Sequence, residues 1–176
     1  METNDNNQSS KTLALLTADG PFPEYADELM LYGQFVGSWD IHSTNFQADG
    51  TQTEWQGEWH FAWILGGRGV QDVLLVTGAS PHEYGTTLRC YDEERDVWHV
   101  SFMAPAAKEF VHLVGRRIGE HIVQEGTGPD PRRLERWTFS DITPRAFTWR
   151  GEVSFDQGKI WLLEQEMRAV RRTRDE

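Results

Sequence analysis

Four polar side chains stand in strand-like segments rich in large aromatic residues, and they are the side chains best suited to acid–base chemistry. They are His99, His112, Arg136 and Glu164. A histidine or carboxylate enclosed by apolar side chains has a displaced pKa, which is what general acid–base catalysis needs. The alternative for each residue is a side chain that is solvated or held in an ion pair. These four are therefore possible catalytic residues.

Motifs for a metal or a cofactor are absent from the sequence. The 6 histidines are scattered and Cys90 is the one cysteine, so the spacing of a zinc site is missing. The stretch Gly66-Gly67-Arg68-Gly69 lacks the lysine and the spacing of a phosphate-binding loop, and Rossmann and nucleophile-elbow motifs do not occur. Cys90 lies in a strand-like run, which favours a small packed side chain over a nucleophile. We expect no metal and no cofactor.

Aromatic residues follow a period of two in several segments. Between Trp55 and Leu65, large apolar residues alternate with mostly polar ones, which places the two sets on opposite faces of a strand. The polar face should meet water, so the aromatic face should point inward. With the register inverted, Glu58 and His60 would point inward and become the leading acid–base candidates.

Together these rows predict an interior lined by flat aromatic rings. The residues expected to line a ligand pocket are Trp55, Trp59, Phe61, Trp63, Trp98, Phe102, Trp137 and Trp149. Several opposed indole rings cannot all mesh at interior density without leaving gaps. Two alternatives stay open: a solid aromatic core without a cavity, and tryptophans placed outside at a dimer interface.

The elements that would position these residues read as one short helix followed by strands. Pro23 to Tyr32 has helix-start residues and is followed by Gly33. About ten strand-like segments follow, separated by turn signals such as Asp49-Gly50. This order predicts an all-β, antiparallel, up-and-down barrel, with a β-sandwich as the alternative. We expect a disordered tail over 1–20, one barrel domain over 21–172 and a C-terminal tail over 173–176.

The composition of the chain limits the classes of partner that we expect it to bind. The formal net charge of -11 argues against nucleic acid and against anionic membrane surfaces. The start of the chain lacks the pattern of a signal peptide, and no stretch approaches the ~18 apolar residues of a membrane helix. These features predict a cytoplasmic protein, monomeric or homodimeric, whose partner is a small hydrophobic or aromatic molecule.

The segment Gly37-Ser38-Trp39 after a short helix resembles the start of the calycins, the lipocalin and fatty-acid-binding superfamily. The wider pattern, with Trp63-Ile64-Leu65-Gly66-Gly67-Arg68, is similar to a bacterial calycin-like family known as a domain of unknown function. The resemblance implies that Trp39 closes the barrel base under a basic side chain from the end of the chain. We assign that role to Arg168, with Arg171 as the alternative, because a guanidinium can pack on an indole face.

A neighbouring barrel, nitrobindin, binds haem through a histidine late in its chain. The last histidine here is His121, and the final two strand-like segments have none, so haem is not expected. The sequence therefore favours binding of a small apolar or aromatic molecule in the barrel. The alternative is a metal-independent enzyme, such as a cyclase, isomerase, hydratase or decarboxylase, that uses histidine or glutamate in the barrel.

Overall fold

The computed structural model describes residues 11–128 and 130–173, which form one helix-capped β-barrel. A 3-10 turn at Pro23–Tyr25 leads into the helix α1 (Ala26–Gly33). Ten strands follow: β1 (Gly37–Phe46), β2 (Gln52–Ile64), β3 (Gly69–Val76), β4 (Gly85–Asp92), β5 (Val97–Ala104), β6 (Glu109–Ile118), β7 (His121–Thr127), β8 (Leu134–Ser140), β9 (Ala146–Ser154) and β10 (Leu162–Arg171).

Each strand pairs antiparallel with its neighbour in sequence, and β1 pairs with β10 to close the sheet. The closing register sets Trp39 opposite Arg171 and Ser43 opposite Met167. Closure leaves no exposed sheet edge, which an open meander of this length would have. The predicted up-and-down barrel is confirmed, and the β-sandwich alternative is wrong.

Alternation along the strands divides an aromatic interior from a polar exterior. On β2, Trp59 is only 3% exposed and faces inward with Phe61 and Trp63, whereas Glu58 and His60 lie on the outer face. There His60 Nε2 lies 2.9 Å from Glu58 Oε2. The predicted register of β2 is therefore found, and the inverted register is not.

The helix α1 closes one end of the barrel. Asp27 and Glu28 in its first turn suit the positive end of the helix dipole. Tyr32 is completely buried, and its hydroxyl oxygen accepts a hydrogen bond from Gln124 Nε2 at 2.9 Å. Gly115 on β6 leaves room for that hydroxyl, since a Cβ there would lie 2.5 Å from it. The helix thus inserts Tyr32 into the barrel and closes this end.

Arg171, and not Arg168, packs on Trp39 at this closed end. Arg171 Cζ lies 4.0 Å from the Trp39 ring centroid, and Trp39 Nε1 donates to the carbonyl of Phe35 at 2.7 Å. Arg168 is three positions earlier and therefore belongs to the outer face of β10, where its side chain is 76% exposed. The assignment of Arg168 was wrong, and the alternative Arg171 takes the place.

The segment before the barrel is attached to it. Of residues 1–20, predicted to be a disordered tail, residues 1–10 lie outside the described part and residues 11–16 are helical. The backbone N–H of Ala18 donates to the carbonyl of Trp63 at 2.9 Å. At the same end, Arg68 Cζ lies 4.5 Å from the Phe22 ring centroid, and Arg68 Nη1 lies 3.2 Å from Glu93 Oε2. Most of the predicted C-terminal tail, 174–176, also lies outside the described residues.

No helix within residues 11–128 and 130–173 has the length and apolar character needed to span a bilayer.

Candidate ligand-binding cavity

A cavity of about 340 Å³ occupies the half of the barrel opposite α1. It lies among the strand ends remote from the helix, such as the end of β1 and the starts of β8 and β10. Its lining is formed by Asn45, Phe46, Gln47, Trp59, Leu74, Thr87, Arg89, Phe102, Glu109, Arg133, Glu135, Trp137, Trp149, Gly151, Glu164, Gln165 and Met167. The barrel interior is therefore not a solid aromatic core.

Five aromatic residues line this cavity, and the rings of all of them except Phe46 meet one another at steep angles. The rings of Trp137 and Trp149 have centroids 5.5 Å apart and are inclined at 65°. Phe102 meets Trp137 at 5.5 Å and 78°, and Trp59 meets Trp149 at 6.4 Å and 84°. In an edge-to-face contact one ring turns its edge to the face of the other, so a wall built in this way contains both ring edges and π faces.

A buried ion pair forms the inner limit of the cavity. Arg89 on β4 is 1% exposed, and its Nη1 bonds a carboxylate oxygen of Asp72 on β3, which is equally buried. The other oxygen of Asp72 accepts from the backbone N–H of Thr87 at 3.0 Å. Arg89 Cζ also lies 5.2 Å from the Tyr32 ring centroid, so the pair separates the cavity from the packed closed end. Its two charges neutralise each other.

Glu135 is the buried carboxylate of the cavity. It is 5% exposed, and its Oε1 lies 2.8 Å from Nε of Arg133. Burial raises the pKa of Glu135 to about 7; Arg133 lowers it, and the charges of Glu164 and Glu109 raise it further. A carboxyl group that titrates near neutral pH can donate or accept a proton under ordinary conditions.

Comparison with known proteins finds similarity in fold. No family model and no curated protein matches the chain. Rv2717c from M. tuberculosis aligns with a TM-score of 0.58 and 13% identity, over 87% of this chain and 99% of that chain. The S-type phycobiliprotein lyase CPES from Guillardia theta aligns with a TM-score of 0.55 and 10% identity, over 82% of this chain and 92% of that chain.

The chain has a calycin-like barrel fold. The matches are below 15% in identity, so they establish the fold alone.

Of the eight aromatic residues predicted to form a pocket, the calycin-like barrel places four on the cavity wall: Trp59, Phe102, Trp137 and Trp149. The other four, Trp55, Phe61, Trp63 and Trp98, are not part of its lining. Phe61, Trp63 and Trp98 lie nearer the closed end, where Trp98 meets Tyr32 at 4.7 Å. Trp55 is half-buried, with Nε1 3.4 Å from Asn45 Oδ1. Position along the strand decides which inward ring reaches the cavity.

The possible catalytic residues separate by strand face. His99 and His112 point out of the barrel, where they lie 3.2 Å from Asp92 and 3.1 Å from Ser101. Arg136 also points outward, with Cζ 3.8 Å from the Trp161 ring centroid.

Only Glu164 reaches the cavity, and its Oε2 lies 2.6 Å from Arg133 Nη2. No histidine is among the described residues of the lining, and its acidic side chains are those of Glu109, Glu135 and Glu164.

Glu135, Asp72 and Arg89 received no role from the sequence. Glu135 shares a strand face with Trp137 and Phe139, so alternation along β8 predicts that its side chain points inward. Its charge, by contrast, favours exposure to water. Asp72 and Arg89 lie on neighbouring strands, and either charge alone would be too costly to bury. Pairing across β3 and β4 makes that burial possible, and pairing depends on register.

Proposed function

We propose that this protein binds a small, planar, aromatic molecule in the barrel cavity. The observation that carries the proposal is the set of four inclined rings around one space, from Trp59, Phe102, Trp137 and Trp149. Such rings contact a flat ligand by offset stacking on one side and by edges on another. Leu74 and Met167 add apolar surface, and Met adapts to irregular ligand shapes.

The size of the cavity favours a compact ligand. About 340 Å³ lies near the lower end of the range of about 300–1,000 Å³ for small-molecule sites. One or two fused rings with a short polar substituent suit that space. The polar groups of the lining are concentrated at the mouth, in Asn45, Gln165 and the charged residues beside Glu135. A ligand with an apolar end and a polar end would match this distribution.

Glu135 supports the alternative that the barrel transforms its ligand. It is a buried carboxyl group with a pKa of about 7 on the wall of a cavity, a combination that general acids and bases share. The catalytic candidates on this alternative are Glu135 and Glu164, in place of His99 and His112. Likeness to CPES, which is named a lyase, is a likeness of fold and transfers no reaction.

The proposal is tested by isothermal titration with naphthalene and with indole, using two tryptophan variants of the same chain. Trp137→Ala removes a ring from the cavity wall and should weaken binding at least about tenfold, which corresponds to about 1.4 kcal/mol. Trp98→Phe alters a ring packed against α1 and should leave the affinity unchanged. The proposal fails if wild-type protein binds neither probe, or if Trp98→Phe weakens binding as much as Trp137→Ala.

A second measurement identifies the natural ligand. Native mass spectrometry of protein purified from its own host should show a retained molecule of small mass, and Trp137→Ala should lose it.

A further inference from the structure

The charged groups of the cavity are unequal in number. Near the mouth, the lining contains three carboxylates, Glu109, Glu135 and Glu164, but one guanidinium, Arg133. Arg133 is already engaged, at 2.8 Å from Glu135 and 2.6 Å from Glu164. The remaining lining charge, Arg89, is neutralised by Asp72. The mouth therefore has an excess of negative charge when its carboxylates are ionised.

Two features of this site favour a positive charge in the ligand. A cation over the face of an aromatic ring is attracted by the ring quadrupole, and the attraction grows when both groups are shielded from water. An acidic cleft with apolar walls also concentrates the field of its charges and raises the local concentration of cations. The rings of Trp137 and Trp149 and the carboxylate of Glu135 border the same cavity.

We propose that the ligand carries a cationic nitrogen, held at the cavity mouth between the indole rings of Trp137 and Trp149 and the carboxylates of Glu135 and Glu164. This inference rests on the proposed function and gives the polar end of the aromatic ligand a charge. An ammonium or amidinium group has the required charge and hydrogen-bond donors. An anionic group would have to enter beside three carboxylates and compete with two of them for Arg133.

The surroundings of Glu135 make its ionisation responsive to such a ligand. The charged groups that act on it are Arg133, just before β8, Glu164 on β10 and Glu109 on β6. Its partners on the neighbouring strands, Gly126 on β7 and Val153 on β9, carry no charge. A bound cation would lower the raised pKa of Glu135, since an opposite charge nearby favours the ionised form. Binding at neutral pH should therefore release a proton.

Three indoles that differ in charge test the inference: tryptamine, which is cationic, tryptophol, which is neutral, and indole-3-acetate, which is anionic. In titration calorimetry at pH 8, tryptamine should bind about tenfold more tightly than tryptophol, and indole-3-acetate most weakly. At pH 7, the heat of tryptamine binding should differ between phosphate and Tris buffers because a proton is released. The heat of tryptophol binding should not differ between these buffers.

Variants locate the preference. Glu135→Gln should reduce the ratio of the tryptophol and tryptamine dissociation constants several-fold and abolish the buffer dependence. Glu164→Gln should reduce the ratio by less, because Glu164 is more exposed. Glu125→Gln is the matched control, since this carboxylate lies on the outer face of β7 beside Arg136 and should keep the ratio of the wild type.

The outcomes distinguish this inference from the function on which it rests. Naphthalene binding without a preference for tryptamine over tryptophol overturns the inference and leaves the proposed function standing. Tightest binding of indole-3-acetate also overturns it and points to Arg133 as an anion site. A protein that binds neither naphthalene nor any of the three indoles loses both proposals.

Discussion

At the end of the barrel closed by α1, aromatic rings fill the interior, whereas at the opposite end rings of the same kind surround a cavity. Phe35, Phe139 and Phe147 are almost completely buried, with centroids 4.7 to 5.6 Å apart. Trp137 lies two residues before Phe139 on the same face of β8, yet it borders about 340 Å³ of open space. The two ends therefore contain similar aromatic rings. These rings pack against other side chains at the closed end and border open space at the opposite end.

The two ends differ because α1 and the turn after it insert side chains into the barrel at the closed end. At the closed end, α1 and the turn after it insert Tyr32 and Phe35 among the strand residues, and Trp98 and Phe139 pack against Tyr32. No such insertion is seen at the open end in the described residues. Charged side chains border the space there instead. A row of inward aromatic residues thus becomes core or cavity wall according to whether another element fills the centre.

The largest effect expected from this comparison is a contrast between two substitutions on β8. Phe139→Ala should lower the free energy of unfolding by about 3–5 kcal/mol, because it empties a packed position. Trp137→Ala should cost about 1–2 kcal/mol, because its ring already borders open space and lacks part of the packing that a core ring has. Urea unfolding of both variants measures the contrast, and equal losses would show that the two ends are packed alike.

The barrel and the inward direction of its aromatic rows could be predicted because they depend on local pattern. Period-two alternation along β2 and the hairpin turns fix which side of each strand is apolar, and Trp59 and Glu58 took the predicted faces. The position of a ring along the barrel axis depends on strand stagger, which the sequence does not encode locally. Trp63 and Trp59 therefore looked equivalent, although only Trp59 reaches the cavity.

The charged part of the site was harder to predict for a physical reason. A single charge in a barrel interior is unfavourable, so the sequence gives no reason to place Asp72 or Arg89 inside until the register of β3 and β4 pairs them. Arg168 illustrates a different difficulty. The face of β10 on which it lies depends on which neighbours point inward. Met167 and Ala169 point inward, so Arg168 lies on the outer face and Arg171 lies on the inner one.

The closed end offers the next largest effect, through Arg171. Its guanidinium donates to the carbonyls of Val36 at 2.8 Å, Gln34 at 2.7 Å and Pro144 at 2.8 Å, besides covering Trp39. Arg171→Ala should lower the free energy of unfolding by about 3 kcal/mol, because it removes charged donors and a cation–π contact together. Arg168→Ala, on the outer face of the same strand, should stay within about 0.5 kcal/mol. A comparable loss in both variants would refute the assignment of Arg171 to the base.

The last expected difference between the two ends concerns the pH dependence of the free energy of unfolding. Burial raises the pKa of Glu135 at the open end to about 7, against 4.5 for an unperturbed glutamate, so the folded state binds more protons between these pH values. Stability from this group is complete below about pH 4.5, falls as pH rises and is gone above about pH 7. Tyr32 at the closed end has a pKa raised by burial and stays neutral throughout this range. In urea unfolding, Glu135→Gln should therefore gain up to about 3 kcal/mol relative to wild type between pH 4.5 and pH 8. Glu125→Gln removes a carboxylate from the outer face, so its free energy of unfolding should follow that of wild type over the same pH range. If the free energy of Glu135→Gln also follows that of wild type, the carboxyl group of Glu135 is not buried as the cavity requires.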